Sequence, residues 1–178
     1  MAAGAASWTF TEDDFHAITG SLQRFLYDSN ARCALLVDRA GQLVATVGEP
    51  PAFDATAFAS LTAADFSAND QLAKLIGESD FTTLFHQGEK ESMFLADVAR
   101  RIILVVLFDD RTTLGLVRLK LRGAVEDLTR RFEAVFARGA TPLGGGAGAR
   151  GLAGALGAEP APLDLLAGAE DEIDRLFS

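Results

Sequence analysis

Residues 102–108 read IILVVLF, a run of seven apolar residues that follows Arg101 and ends at Asp109. A short run without alternation of apolar and polar residues is typical of a strand that is covered on both faces. Such a strand lies inside a sheet, because a half-exposed strand would carry polar side chains at every second position. The run therefore predicts a sheet with this strand near its centre and helices on both of its faces.

Four further strands are predicted before this run, at 34–37, 43–47, 82–86 and 92–98. Consecutive strands that are joined by short turns pair antiparallel, and Gly41 suits the first of these turns. The chain order is helix, two strands, helix, three strands, helix. This order predicts an α/β protein of the α+β type, with a five-stranded, mainly antiparallel sheet in a three-layer α/β/α arrangement.

The three predicted helices have recognisable starts or ends. The first begins after Thr11, which forms a weak capping box with Asp14. The second begins after Asp54, a good N-cap residue, and the last ends at Ala137. These helices and the strands predict one domain over residues 10–138, preceded by a disordered N-terminus at 1–9.

The second helix, over residues 57–77, has two distinct faces and no chemical groups suited to catalysis. Its apolar side chains recur at steps of three and four residues, which predicts that this stripe packs on the sheet; they are Phe58, Leu61, Ala68, Leu72, Leu75 and Ile76. A second stripe of small or neutral residues lies opposite; it contains Ser60, Ala64, Ser67 and Gln71. A solvated face normally carries Lys and Glu. The second stripe is therefore either an ordinary alanine-rich surface or a protein-docking surface that another backbone approaches closely.

Composition narrows the class of protein. With 178 residues, 49% of them hydrophobic, the chain can bury one good core. The net charge of −9 argues against binding to nucleic acid or to anionic lipid. A single cysteine, Cys33, excludes an internal disulfide, and we find neither a signal peptide nor the roughly 20 apolar residues of a membrane span. We therefore expect a soluble, cytoplasmic protein.

The composition changes at Gly139. Residues 139–162 are rich in Gly, Ala and Pro, which predicts a flexible linker. A G-x-G-x-x-G pattern starts at Gly146, but no strand precedes it, so it does not predict a nucleotide site. Residues 163–178 are again amphipathic, with Ile173, Leu176 and Phe177 on one face among acidic residues. This segment predicts a short helix that forms only against a groove.

The residues that could support catalysis do not form a recognisable pattern. Cys33, His16 and His86 match no local nucleophile–base motif. Asp109 and Asp110 are adjacent, so their side chains diverge in an extended chain. Zinc-ligand spacing and a phosphate-binding loop are also not found. The sequence therefore predicts no catalytic residue, no cofactor and no metal site.

Four stretches carry a specific resemblance to a known family: 60–78 (SLTAADFSANDQLAKLIGE), 85–94 (FHQGEKESMF), 103–121 (ILVVLFDDRTTLGLVRLKL) and 171–178 (DEIDRLFS). They resemble the MglB-like family of the Roadblock/dynein-light-chain superfamily. The resemblance implies a Roadblock-type fold and a homodimer whose central helices lie side by side and receive a Ras-like GTPase of the MglA type. It also implies that the protein accelerates GTP hydrolysis without an inserted residue, by holding the GTPase's own arginine and glutamine in place, and is enriched at a cell pole.

The resemblance and the second helix together predict two contact regions. The GTPase-binding platform is predicted to comprise Ala64, Ser67, Gln71 and Lys74. Relatives often carry smaller residues at the positions of Ser67 and Gln71, so these two side chains could change affinity or partner choice. The second contact is predicted at Ile173, Leu176 and Phe177 of the C-terminal helix.

Three alternatives remain open at this point. The first is a scaffold of the same fold that binds a GTPase or another partner without stimulating hydrolysis. The second is an activator that supplies an arginine finger, with Arg100, Arg101 or Arg111 as the candidate. The third is a small-molecule sensor, which would need a lined pocket.

Overall fold

A computed structural model describes residues 10–139 of the chain. Its elements are α1 (Glu12–Ser29), β1 (Cys33–Asp38), β2 (Leu43–Gly48), α2 (Ala55–Leu75), β3 (Thr83–Gln87), β4 (Ser92–Val98), β5 (Ile102–Phe108) and α3 (Leu114–Gly139). The predicted strands and the predicted helices of the domain are all present, so the predicted α+β class is confirmed. The predictions for residues 1–9, for the linker beyond residue 139 and for the helix at 163–178 lie outside the described residues.

The strands form one sheet in the order β2-β1-β5-β4-β3, and every neighbouring pair is antiparallel. The prediction that β5 is central is confirmed: Val105 pairs with Leu35 on one side and with Leu95 on the other, and all three side chains are fully buried. Because successive side chains of a strand point to opposite faces, β1 and β5 supply apolar side chains to both layers. α1 and α3 cover one face of the sheet, and α2 covers the other.

The predicted cap of α1 is present. The Thr11 hydroxyl accepts a hydrogen bond from Asp14 N at 3.2 Å, and the Asp14 carboxylate accepts one from Thr11 N at 3.0 Å. Arg138 of α3 donates to the same carboxylate at 2.5 Å. The bonds from Thr11, and then the one from Arg138, lower the pKa of Asp14 to about 2. This end of α1 is therefore tied to the last turn of α3.

α2 begins at the predicted cap, but the predicted packing face is wrong. Asp54 Oδ1 accepts hydrogen bonds from Thr56 N at 2.9 Å and from Ala57 N at 3.2 Å. The residues of α2 that are buried against the sheet are Ala59, Thr62, Ala63, Phe66 and Ala73. Within the stripe predicted to be buried, Phe58 is half-buried, whereas the rest is exposed to solvent; the exposed residues are Leu61, Ala68, Leu72, Leu75 and Ile76.

The short side chains on the inner face explain this orientation. Alanine leaves room for the helix backbone to come close to the sheet, and Phe66 fills the remaining depth. At the β1–β2 turn the approach is so close that a Cβ atom added to Gly41 would lie 3.0 Å from Ser60 Cα. Gly41 also has a φ of +88°, a value that favours glycine. The hydrophobic period of α2 predicted a helix correctly but did not distinguish its two apolar faces.

Substitution of Phe66 by Ala tests this packing. Phe66 is fully buried, and loss of such a ring typically costs about 3–5 kcal/mol of the free energy of unfolding. Urea denaturation of Phe66→Ala should show a loss of this size. The matched control is Leu119→Ala on α3: Leu119 is 71% exposed, so this change should stay within about 0.5 kcal/mol. Equal stability of the two variants would contradict the observed orientation of α2.

Candidate functional site

The outward face of α2 exposes large aliphatic side chains. Leu61 is 71% exposed and Leu75 is 82% exposed, and Leu72 and Ile76 are also open to solvent. The four residues predicted as the platform, Ala64, Ser67, Gln71 and Lys74, are all exposed on the same helix. Contiguous exposed apolar surface of this kind marks an interaction site more often than an ordinary solvated face. Whether these four residues contact a partner stays a prediction.

This helix carries very little free charge. Its only ionisable residues are Asp65, Asp70 and Lys74. Asp65 is 2.9 Å from Nε2 of His86 on β3, and Asp70 accepts a hydrogen bond from Arg39. Lys74 forms no hydrogen bond or ion pair with another residue in the part of the chain that the structure describes. α2 therefore offers a partner one cation without an intramolecular contact among the described residues, Lys74, and one partly exposed carboxylate, Asp65.

Arg39, in the β1–β2 turn, joins α2 to the sheet. Its Nη1 donates to Asp70 at 2.6 Å and its Nη2 donates to Asp97 of β4 at 2.5 Å, while its guanidinium carbon lies 4.6 Å from the centre of the Phe66 ring. Burial opposes the charge of Arg39, but the hydrogen bonds to Asp97 and Asp70 outweigh it and raise the pKa. Arg39 Nε and Asp70 Oδ1 are buried without a hydrogen-bond partner. The two carboxylates are thus committed to Arg39, and α2 is fixed at this point.

A cleft of about 410 Å³ lies beside this ion pair. We call it the Lys74–Arg100 cleft; it is lined by Arg39, Ala63, Ser67, Asp70, Lys74, Ser79, Asp80 and Arg100. Arg100 is displayed by the β4–β5 turn, in which Ala99 and Arg100 have φ values of 52° and 58°. Its side chain is 84% exposed, and Nη1 is 3.6 Å from Asp80 Oδ2. The cleft contains two of the four predicted platform residues, Ser67 and Lys74.

The three arginines considered as fingers have different surroundings. Arg111 is held in place because Nη1 donates to Glu49 at 2.8 Å and Nε donates to Asp109 at 3.0 Å. These bonds, that to Asp109 first, raise the pKa of Arg111. Arg101 stacks on Phe136, with 4.8 Å from the guanidinium carbon to the ring centre. All three arginines are exposed in turns, but the Arg100 side chain is 84% exposed and lies 3.6 Å from its acidic partner, Asp80.

Cys33, His16 and His86, the residues considered for catalysis, lie in separate surroundings. Cys33 is buried, and burial raises the pKa of its thiol. His86 contacts Asp65, and His16 is 3.7 Å from Glu12 on the surface of α1. Within residues 10–139, no group of three or more His, Cys, Asp or Glu side chains could hold a metal ion. In the same range, no helix is long and apolar enough to cross a membrane.

Comparison with known proteins places this fold in a family. Residues 21–108 match the model of the Roadblock/LC7 domain. The structure of Myxococcus xanthus MglB is 45% identical in sequence, with a TM-score of 0.65, and the match covers 67% of this chain and 98% of that one. The gliding protein MglB from Thermus thermophilus is 30% identical, with a TM-score of 0.69, and the match covers 74% of this chain and 99% of that one.

More distant similarity agrees with this assignment. A Roadblock/LC7 domain from Streptomyces avermitilis is 14% identical with a TM-score of 0.58, and the match covers 65% of this chain and 97% of that domain, which supports the fold alone. Comparison with curated proteins gives no match. The family model, the near-complete coverage of the two MglB structures and the shared strand and helix arrangement lead to one conclusion: the chain belongs to the Roadblock/LC7 family.

Proposed function

We propose that this protein is a GTPase-activating protein and partner of a Ras-like GTPase of the MglA type, and that it acts as a homodimer. The outward face of α2 is the observation that carries the proposal. It is exposed, nearly free of available charge and lined by small side chains at Ala64 and Ser67, as a close protein contact requires. The 45% identity to Myxococcus xanthus MglB supports a partner of this class.

Stimulation of hydrolysis would come from selection of one conformation of the GTPase. The proposed role requires no group of the platform to attack or to protonate a phosphate. A surface that binds the hydrolysis-competent conformation of the GTPase more tightly than the other conformation shifts the ratio of the two. At saturation, the ratio changes by the ratio of the affinities for the two conformations. A tenfold preference corresponds to about 1.4 kcal/mol. The arginine and glutamine of the GTPase itself would then stabilise the transition state.

The dimer is proposed from the same helix. Leu61, Leu72 and Leu75 are all open to solvent on this one helix. Side-by-side packing of two copies of α2 would remove these leucines from water. β3 is also a sheet edge, whose backbone groups are open to pairing. The description of one MglB structure as a tetrameric arrangement, at 30% identity, supports self-association.

Two parts of the proposal rest on the family resemblance alone. Enrichment in the cytoplasm at a cell pole, in support of polarity and motility, would follow from binding to the polarity GTPase. A second GTPase contact through Ile173, Leu176 and Phe177 falls outside the described residues. Removal of residues 163–178 would measure that contribution.

The platform is tested by two substitutions. Ala64→Arg and Ser67→Arg are each expected to abolish binding of the MglA-type GTPase and the acceleration of single-turnover GTP hydrolysis. A long charged side chain prevents close approach and would be desolvated without a partner. The matched control is Gln23→Arg. Gln23 is exposed on α1, on the other side of the sheet, so this variant should bind the GTPase and accelerate hydrolysis as the unmodified protein does.

Two outcomes would contradict this part of the proposal. Unchanged stimulation by both platform variants would remove the outward face of α2 as the contact. Tight binding of the unmodified protein without any acceleration of hydrolysis would instead identify the non-catalytic scaffold.

The arginines are tested one at a time. Arg100→Ala, Arg101→Ala and Arg111→Ala should each leave stimulated hydrolysis at saturating protein within about tenfold, since loss of an arginine finger costs about 10³-fold or more. Thermal unfolding of each variant provides the control, because Arg111 also bridges Glu49 and Asp109. A fall of about 10³-fold in a folded variant would show that a finger is supplied in trans.

The assembly is tested by light scattering of the purified chain. At micromolar concentration we expect a mass of twice 18.8 kDa or a multiple of that dimer, because the exposed leucines of α2 favour burial between copies. A stable monomer would contradict the proposed dimer.

A further inference from the structure

The Lys74–Arg100 cleft lies at the margin of the platform, where docking of a partner would cover it. Ser67 and Lys74 belong both to the platform and to the wall of the cleft. A partner that contacts Ser67 therefore brings its own surface to the mouth of a space of about 410 Å³. The rim of an interface is polar and accessible to solvent, so a polar or charged side chain of the partner is expected to enter this space.

The charges at the rim specify which side chain would fit. Lys74 has no partner among residues 10–139, and Arg100 is 84% exposed, with its nearest carboxylate oxygen 3.6 Å away. On the inner wall, Asp70 is hydrogen-bonded to Arg39, so this carboxylate is paired with a cation other than Lys74 or Arg100. The rim thus presents two cations in a chain whose net charge is −9.

Asp80 is the one acidic group that faces Arg100 across this rim. Its side chain is only 31% exposed, and its Oδ2 is 3.6 Å from Arg100 Nη1, which is beyond a normal hydrogen bond. A carboxylate that enters from a partner would compete with Asp80 for the same guanidinium. A partner cation would instead be attracted to Asp80 and repelled by Lys74 and Arg100. The sign of the Asp80 effect therefore distinguishes the two kinds of partner residue.

We infer that Lys74 and Arg100 bind the carboxylate of an aspartate or glutamate on the GTPase, and that this contact sets affinity and orientation rather than the rate of hydrolysis. The inference rests on the proposed function, since it assigns a recognition role to one margin of the same platform. Arg100 acts here as a binding residue. It does not reach the nucleotide, and its effect is confined to the docking equilibrium and its salt dependence.

The experiment measures affinity for the MglA-type GTPase and the hydrolysis rate at saturation in parallel. Lys74→Glu and Arg100→Glu should each weaken binding at least about fivefold at low salt, with a saturated rate within about twofold of the unmodified protein. Arg100→Lys, which keeps the charge, should retain most of the affinity. Asp80→Asn should strengthen binding about two- to fivefold, because it removes the competing carboxylate. Raising the salt concentration should reduce all of these differences.

The matched control is Lys90→Glu. Lys90 is exposed in the turn before β4, at the opposite end of that strand from Arg100, and the same charge change there should leave affinity unaltered. Wild-type affinity of both Lys74→Glu and Arg100→Glu would overturn the inference. Weaker binding by Asp80→Asn would also overturn it, because that result would identify a cation as the partner's group.

The outcomes separate this inference from the proposed function. If Ala64→Arg abolishes binding while both charge-reversal variants bind normally, the platform is supported as the GTPase contact. The inferred contact of Lys74 and Arg100 with a carboxylate is then wrong. If Ala64→Arg and Ser67→Arg both bind normally, the outward face of α2 is not the contact, and the proposed function loses the observation that carries it. Thermal unfolding of each charge-reversal variant shows whether a loss of binding comes from an altered fold.

Discussion

The close packing of α2 on the sheet is the constraint on which the rest of this structure depends. Ala59, Ala63 and Ala73 place only methyl groups between the helix and the strands, and Phe66 is the one large side chain of α2 that is fully buried there. A helix packed in this way cannot rotate without replacing alanines by leucines at the contact, and the space for leucines does not exist. The orientation of α2 is therefore fixed by volume, and its leucine-rich face is left outward.

An ion pair also restrains the position of α2 on the sheet. Arg39 engages Asp70 on α2 and Asp97 on β4, and its guanidinium covers the ring of Phe66. Removing one member of such a partly buried cluster leaves the others without compensation. The same cluster pairs Asp70 with Arg39 rather than with Lys74. An internal structural contact thus determines the charge that the surface offers to a partner.

The sequence predicted the elements well because their signals are local. The capping box of Thr11 and Asp14, the cap at Asp54 and the unbroken apolar run of β5 all lie within one element, and all are confirmed. The packing face of α2 was predicted wrongly, because Leu61 and Leu75 outweigh Ala59 and Ala63 in any hydrophobic pattern. The Lys74–Arg100 cleft could not be predicted, since it combines residues of α2, two turns and the segment after α2, which meet only in the folded chain.

The close approach of Gly41 to Ser60 makes the position of α2 sensitive to a residue of the β1–β2 turn. Any side chain at position 41 would press against the backbone of α2 and would also strain a turn with a φ of +88°. One relief is a shift of the α2 backbone at Ser60 by a few tenths of an ångström, which would also move the neighbouring Ala64. If the outward face of α2 binds the GTPase as proposed, substitutions of Gly41 are therefore expected to weaken binding as well as stability.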